Sequence, residues 1–264
     1  MTVPAADGRV HEQALGPGLL RWTLDHPRKR NALTPQMLAW LERRAGELRG
    51  EVVLLTGAGD TSFCAGFDLD ALPQQDPGAL AEAPDAPLFA ATAALRRADA
   101  TTVAVLHGHV YGAGVELACS CDLRLARADA RFVIPAARLG VVYHAEGVAL
   151  LQRCFGPALT QRLLLLAETV SADEALRAGA IHGVHSASEL EGAVMAVADK
   201  LRAGAPHSLR AHRDRLRALA AGQPFTAADA RAYDDARRAA YLSDDHREGR
   251  QATRERRPPR FTGA

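Results

Sequence analysis

Phe63-Cys64-Ala65-Gly66-Phe67-Asp68-Leu69 and, further along, Gly112-Ala113-Gly114-Val115-Glu116 are the two stretches on which the reading of this chain turns. Each follows an apolar run, Val52-Val53-Leu54-Leu55-Thr56-Gly57 before the first and Val103-Ala104-Val105-Leu106-His107-Gly108 before the second. Short apolar runs of this kind read as buried strands, and the small residues after them read as tight turns that open a loop or helix. Small residues let backbone approach a ligand closely, and the first N–H groups of a helix have no intrahelical acceptor. Two such amides aimed at one point would form an oxyanion hole. Glu116 follows Ala113 by three residues, which puts its carboxylate on the same face of a helix starting there. An anion site with an acid or base one turn away suits enolate chemistry.

Outward from these turns, Leu19 to Leu24 reads as an early strand. Pro35 to Arg49 reads as a helix capped by Thr34, with proline at the first helical position. Strands near 52–56 and 103–106 alternate with helices near 86–98 and 112–120, and further strand signals follow at 123–126 and 131–134. This alternation predicts an α/β architecture. The stretch from Pro73 to Pro87 carries four prolines and reads as a mobile loop. From about residue 145 the chain reads as mostly helical, with apolar residues at helical spacing over 190–202, 208–221 and 227–241. No internal repeat is visible.

With 264 residues and nearly half of them apolar, the chain is large enough to bury a core without metal or disulfide support. Its 32 basic and 31 acidic residues leave a net charge of +1, which gives no general attraction to nucleic acid or membrane surfaces. No apolar stretch approaches the length of a membrane span, and no secretory signal is evident at the N-terminus. The four cysteines, Cys64, Cys119, Cys121 and Cys154, form no zinc pattern. They read as buried free thiols, which fits a reducing cytoplasm. Cys64 is not expected to be a nucleophile. Gly108-x-x-x-Gly112-x-Gly114 lacks the spacing of a dinucleotide-binding turn. His107 and His109 read as structural or solvent-facing.

The two turns, together with Leu24-Asp25-His26-Pro27-Arg28-Lys29-Arg30-Asn31-Ala32-Leu33, Cys121-Asp122-Leu123-Arg124, Leu139-Gly140-Val141 and the C-terminal Glu248-Gly249-Arg250-Gln251-Ala252, resemble the crotonase (enoyl-CoA hydratase/isomerase) superfamily over nearly the whole chain. The resemblance implies a spiral β-β-α core of the ClpP/crotonase type over residues 1–205. It implies a helical C-terminal region over 206–264 that packs in a homotrimer or a dimer of trimers. It also implies an acyl-CoA substrate, no cofactor beyond the coenzyme A moiety, and no metal. The oxyanion donors would be the N–H groups of Phe67 and Ala113, and Glu116 matches the first of two catalytic glutamates. Contacts to coenzyme A would come from Arg28, Lys29, Arg30, Ala32, Ala65, Phe67, Asp68 and Leu69. Which of the three basic residues meets a phosphate stays open. The basic tail from Arg254 to Arg260 reads either as a solvated terminus or as a further phosphate contact.

One position departs from the family pattern. The second catalytic glutamate of a hydratase should fall in Phe132-Val133-Ile134-Pro135-Ala136, and there this chain has Ala136. An alanine neither transfers a proton nor orients water. The loop that follows offers Tyr143, His144 and Glu146. Tyr143 is similar in place to a tyrosine of methylmalonyl-CoA decarboxylase, although a histidine stands there where this chain has Phe67. His144 falls in the register of the aspartate of 4-chlorobenzoyl-CoA dehalogenase and the dienoyl-CoA isomerases, and an imidazole can move protons near neutral pH. Glu146 also reads as a helix-start carboxylate favoured by the dipole. The leading expectation is an enoyl-CoA hydratase-like lyase acting through an oxyanion-stabilised enolate. A malonyl-type acyl-CoA decarboxylase is the alternative, and a catalytically weak CoA-binding scaffold or RNA-binding relative is the reading from another class.

Overall fold

The computed structural model describes residues 8–71 and 84–263. The greater part of the Pro73–Pro87 stretch, expected as a mobile loop, lies outside the described residues. The chain divides into two compact units, 1–194 and 195–264.

The first unit opens with a hairpin of β1 (Arg9–Gly16) and β2 (Leu19–Asp25), followed by α1 (Pro35–Gly46). Three β-β-α turns come next. They are β3 (Glu51–Gly57), β4 (Ser62–Cys64) and α2 (Ala86–Arg97); β5 (Ala100–Leu106), β6 (His109–Tyr111) and α3 (Ala113–Cys119); and β7 (Leu123–Arg127), β8 (Arg131–Val133) and α4 (Ala136–Leu139). The first strand of each turn joins a six-stranded sheet, ordered β1-β2-β3-β5-β7 and closed by β10 (Gly183–His185). The second strand joins a four-stranded sheet, ordered β4-β6-β8 and closed by β9 (Val170–Ser171). Pairing between successive turns is parallel in both sheets. The chain therefore winds as a spiral whose turns stack by hydrogen bonding.

The sequence explains most of these elements. β3 is buried along nearly its whole length, as a parallel strand covered on both faces must be. Thr34 caps α1 by accepting from the Met37 N–H, with Pro35 at the first position. The core gathers Trp22, Phe63 and Phe132, each at most 1% exposed. Other elements escape sequence reading. β1 is largely polar and exposed, so it lacks the alternation that marks a strand. β9 and β10 lie in the stretch read as mostly helical, and at two and three residues they are too short to show a period. The threefold β-β-α winding is likewise invisible as a sequence repeat, because it lives in backbone pairing.

Between β8 and β9 runs α5 (Ala145–Leu165), broken at Gly156, whose φ of 70° and ψ of 168° leave the helical region just before Pro157. α6 (Ala172–Arg177) starts with a capping box of Ser171 and Glu174. α7 (Leu190–Arg202) contains the boundary between the units. The second unit continues with α8 (Pro206–Ala220), α9 (Ala227–Leu242) and α10 (Asp244–Glu255). Neither α8 nor α9 has a buried residue.

Candidate active site

The turn after β4 is held by a strap from residues 30–33. Ala65 N–H donates to the Arg30 carbonyl at 3.1 Å, Leu33 N–H to the Gly66 carbonyl at 2.7 Å, and Asp68 N–H to the Leu33 carbonyl at 2.9 Å. The Phe67 N–H lies between the two groups used in the Leu33 pair and takes no part in it. Arg30 and Asn31 adopt left-handed conformations, with φ of 51° and 62°, which cost energy for side-chain-bearing residues. The buried Asn31 offsets that cost by donating to the Ala58 and Ser62 carbonyls at 2.8 and 2.9 Å. Asn31 was not singled out in the sequence, and its tolerance of the left-handed region is the signal that marks it.

Of the three basic residues, Lys29 binds Asp68 and Asp70 at 2.5 and 2.8 Å. These hydrogen bonds raise its ammonium pKa. The contact clamps the first loop to the turn after β4. Arg28 and Arg30 are exposed, and Ala32 is buried. Ala65 and Phe67 are half-buried, Asp68 is buried and Leu69 exposed.

The second turn is anchored through Gly112 N–H, which donates to the Val133 carbonyl of β8 at 2.8 Å. Gly112 has φ of 50° and ψ of −121°, a conformation that suits glycine alone. Ala113 opens α3, which is buried throughout. The two turns face each other closely. A Cβ placed on Gly66 would stand 3.1 Å from the Tyr111 carbonyl oxygen and 3.5 Å from the Ala113 nitrogen.

Glu116 lies one turn into α3 and is 0% exposed. Its Oε1 meets His144 Nε2 at 2.9 Å. His144 is also the N-cap of α5, its Nδ1 accepting from Gly147 N–H at 3.1 Å. A backbone N–H only donates, so Nδ1 is unprotonated and the neutral ring carries its proton on Nε2, pointed at the carboxylate. Adding a second proton to His144 would break the helix cap. The imidazole is thus built to orient Glu116. Glu116 Oε2 is buried and has no hydrogen-bond partner among the described residues. A Cβ on Gly147 would stand 3.0 Å from it, so the bare Cα of Gly147 leaves space over this oxygen. Burial raises the Glu116 pKa above the ordinary carboxylate value, opposed by His144 and more weakly by Arg96. A raised pKa and a bare oxygen are the properties of a carboxyl group that exchanges a proton with a ligand.

Two residues of α2 complete the surroundings of Glu116. The Phe89 ring packs edge-on against His144 at 5.3 Å between centroids, and Thr92 Oγ1 comes within 3.5 Å of Glu116 Oε1. Neither was legible in the sequence, since α2 is placed beside α3 by the winding alone. Tyr143 is half-buried, with its hydroxyl 4.0 Å from the position a Cβ on Gly112 would take. Burial, and then the Glu116 charge, push its phenol pKa upward, so it stays a neutral donor. Ala136 is buried at the start of α4. Glu146 is exposed in the first turn of α5.

The structure thus brings Phe67, Ala113, Glu116, Tyr143 and His144 to one place. Burial pushes the Cys64 thiol up to about 12, which keeps it protonated. Cys119 and Cys121 are also buried free thiols, whereas Cys154 is half-buried. His107 is half-buried against Thr56 Oγ1 at 3.2 Å, and His109 is exposed. In the second unit the basic tail is tied down. Arg257 grips both oxygens of Glu248 at 2.6 and 2.9 Å, and the buried Asp245 accepts from Thr262 and Gly263 N–H. Among the described residues no group of three or more His, Cys, Asp and Glu side chains is placed to hold a metal ion. No helix among them is long and apolar enough to cross a membrane.

A spiral of stacked β-β-α turns is the crotonase fold. Residues 16–264 match the family model described as enoyl-CoA hydratase/isomerase, and the chain belongs to that family. Carnitinyl-CoA dehydratase of Proteus mirabilis is 35% identical over 171 residues, and the match spans 63% of each chain. Short-chain-enoyl-CoA hydratase of Clostridium acetobutylicum is 31% identical over 198 residues, 71% of this chain and 73% of that one. Among solved structures, an enoyl-CoA hydratase/carnithine racemase from Magnetospirillum magneticum superimposes with a TM-score of 0.86 at 29% identity, covering 97% of this chain and 96% of that one.

Proposed function

We propose that the protein adds water to, or removes it from, an acyl-CoA thioester through an oxyanion-stabilised enolate, with Glu116 as its acid–base carboxyl. The observation that carries this reading is the buried Glu116, fixed through Oε1 by His144 and bare at Oε2. The thioester oxygen would sit between the Phe67 and Ala113 amides, whose donation favours the enolate over the ground-state carbonyl. In dehydration, Glu116 Oε2 takes the α-proton as the α C–H bond breaks. The β C–O bond then breaks, and the same carboxyl returns that proton to the departing hydroxide as water. Hydration is the reverse. One carboxyl moving one proton each way requires no second acid at the position of Ala136. Two relatives with water-adding or water-removing names support the direction of this reading.

Coenzyme A would enter past the strap, its phosphates near the exposed Arg28 and Arg30, with Lys29 serving as a clamp on Asp68. The active assembly would be a homotrimer or a dimer of trimers. The test is incubation with crotonyl-CoA and with a malonyl-type CoA, followed by product mass. Gain of water on crotonyl-CoA is the expected result. Loss of carbon dioxide from the malonyl-type substrate, with no hydration, would replace this reading by decarboxylation, for which Tyr143 would orient the leaving carboxylate. Binding with neither reaction would favour a CoA-binding scaffold. Ala136→Glu is expected to raise the hydration rate by supplying the missing carboxyl.

A further inference from the structure

The face of α2 that meets α3 carries a cation that the reaction outlined above leaves unused. Phe89, Thr92 and Arg96 recur at helical spacing on α2. Phe89 reaches His144, Thr92 reaches Glu116, and Arg96 Nη1 donates to Ser120 Oγ at 3.2 Å. Ser120 is the C-cap of α3, four residues beyond Glu116. Ser120 therefore lies about one helical turn, roughly 6 Å, along the axis of α3 from Glu116, with the guanidinium against it.

Arg96 is half-buried, and among the described residues it makes no ion pair; its hydrogen bonding there is the one bond to Ser120. A guanidinium offers five N–H donors. Burial disfavours the charged form; of the neighbouring charges Glu116 offsets this most, without direct contact, while Arg153 and Arg97 add like charge and Glu146 offsets it more weakly. A half-desolvated cation with one neutral hydrogen-bond partner is costly unless an anion joins it. A carboxylate matches its fork with two parallel hydrogen bonds. Ala136, buried where a second acid was expected, adds no negative charge to repel that carboxylate.

We propose that Arg96 selects acyl-CoA thioesters whose acyl chain ends in a carboxylate. This rests on the acyl-CoA reading above. An acyl group ending in a quaternary ammonium would meet like charge from Arg96 and is disfavoured.

The experiment compares trans-2-hexenoyl-CoA with the same thioester bearing a terminal carboxylate and with a trimethylammonium-ended analogue, in the parent and in Arg96→Met. The parent is expected to prefer the carboxylate-ended substrate in kcat/KM. Arg96→Met is expected to lose about 10- to 100-fold on that substrate, to lose less on hexenoyl-CoA, where only the weak effect of Arg96 on the Glu116 pKa is removed, and to accept the trimethylammonium analogue better. An unchanged preference, or an equal loss on all three, overturns the proposal. Should none be turned over, the lyase reading fails separately. Calorimetry with the saturated counterparts then decides selection: tighter binding of the carboxylate-ended thioester, abolished by Arg96→Met, upholds it, and equal binding overturns it. Should Arg96→Met not fold, Arg96→Lys is read instead; it keeps the charge without the fork and is expected to retain a weaker preference of the same sign, an undiminished one overturning the role of the fork.

Discussion

Glu116 and His144 form a pair in which each nitrogen and oxygen has a distinct task. Glu116→Gln keeps the shape and can still accept from His144 Nε2 through its amide oxygen. It removes the proposed base, so kcat/KM for the α-proton step is expected to fall about 10²–10⁴-fold. The same change bears on stability. Burial raises the Glu116 pKa in the folded protein, so the fold favours the protonated form. Relative to an uncharged residue, the carboxyl costs nothing below its unfolded pKa and destabilises as pH rises through the folded value. Glu116→Gln is therefore expected to have a higher Tm than the parent at pH 7, the difference closing as the solution is acidified. Equal Tm values at both pH values would show that the carboxyl is not desolvated.

His144 has two roles that one substitution can separate. Asparagine is a good N-cap, so His144→Asn is expected to keep α5 intact while losing the contact to Glu116. Without the Nε2 donor, the Glu116 pKa goes higher, and the rising limb of kcat/KM against pH is expected to move to higher pH. A fall in rate with an unmoved limb would assign His144 to the helix alone.

At the scale of elements, the site depends on how closely α3 lies on β4. A Cβ on Gly114 would come within 2.8 Å of the Cys64 Cβ and 3.0 Å of its carbonyl oxygen. Both belong to the strand that leads into the turn at Phe67, so Gly114→Ala is expected to push α3 away from it. The expected cost is about 1–3 kcal/mol of stability, read by denaturant unfolding, with a larger loss of kcat than the drop in folded fraction explains, because the Ala113 N–H moves with α3. Serine at this position should be as damaging as alanine, since Cβ is the offending atom. α5 shows the same dependence from the other side, because its first turn carries both the His144 cap and the open Gly147 that leaves Glu116 Oε2 reachable.

At the scale of the whole molecule, α8 and α9 expose Leu216, Leu219, Tyr241 and Leu242, at 65%, 55%, 66% and 78%. Helices with apolar residues left in water call for a covering surface. The proposed trimer or hexamer makes this testable: light scattering is expected to give an oligomeric mass for the parent, and Leu219→Asp with Leu242→Asp to lower it. A monomeric parent would remove the assembly from the account.

Much of this protein was legible in its residues. The apolar runs over 52–57 and 103–108 had to be buried strands, and Thr34-Pro35 had to start a helix. Small residues at 65–66 and 112–114 had to be turns, because those consequences follow from local sterics and backbone hydrogen bonding. Glu116, Tyr143 and His144 could be picked out by residue type and by the family positions they resemble. What no local property carries is adjacency. Only the stacking of successive β-β-α turns places α2 against α3, so only the tertiary structure assigns Thr92, Phe89 and Arg96 to the surroundings of Glu116. The contacts of His144 emerged in the same way. Its sequence position allowed a proton shuttle, but the Gly147 N–H at its Nδ1 and the carboxylate at its Nε2 fix its proton. Both contacts exist only once α5 and α3 have packed.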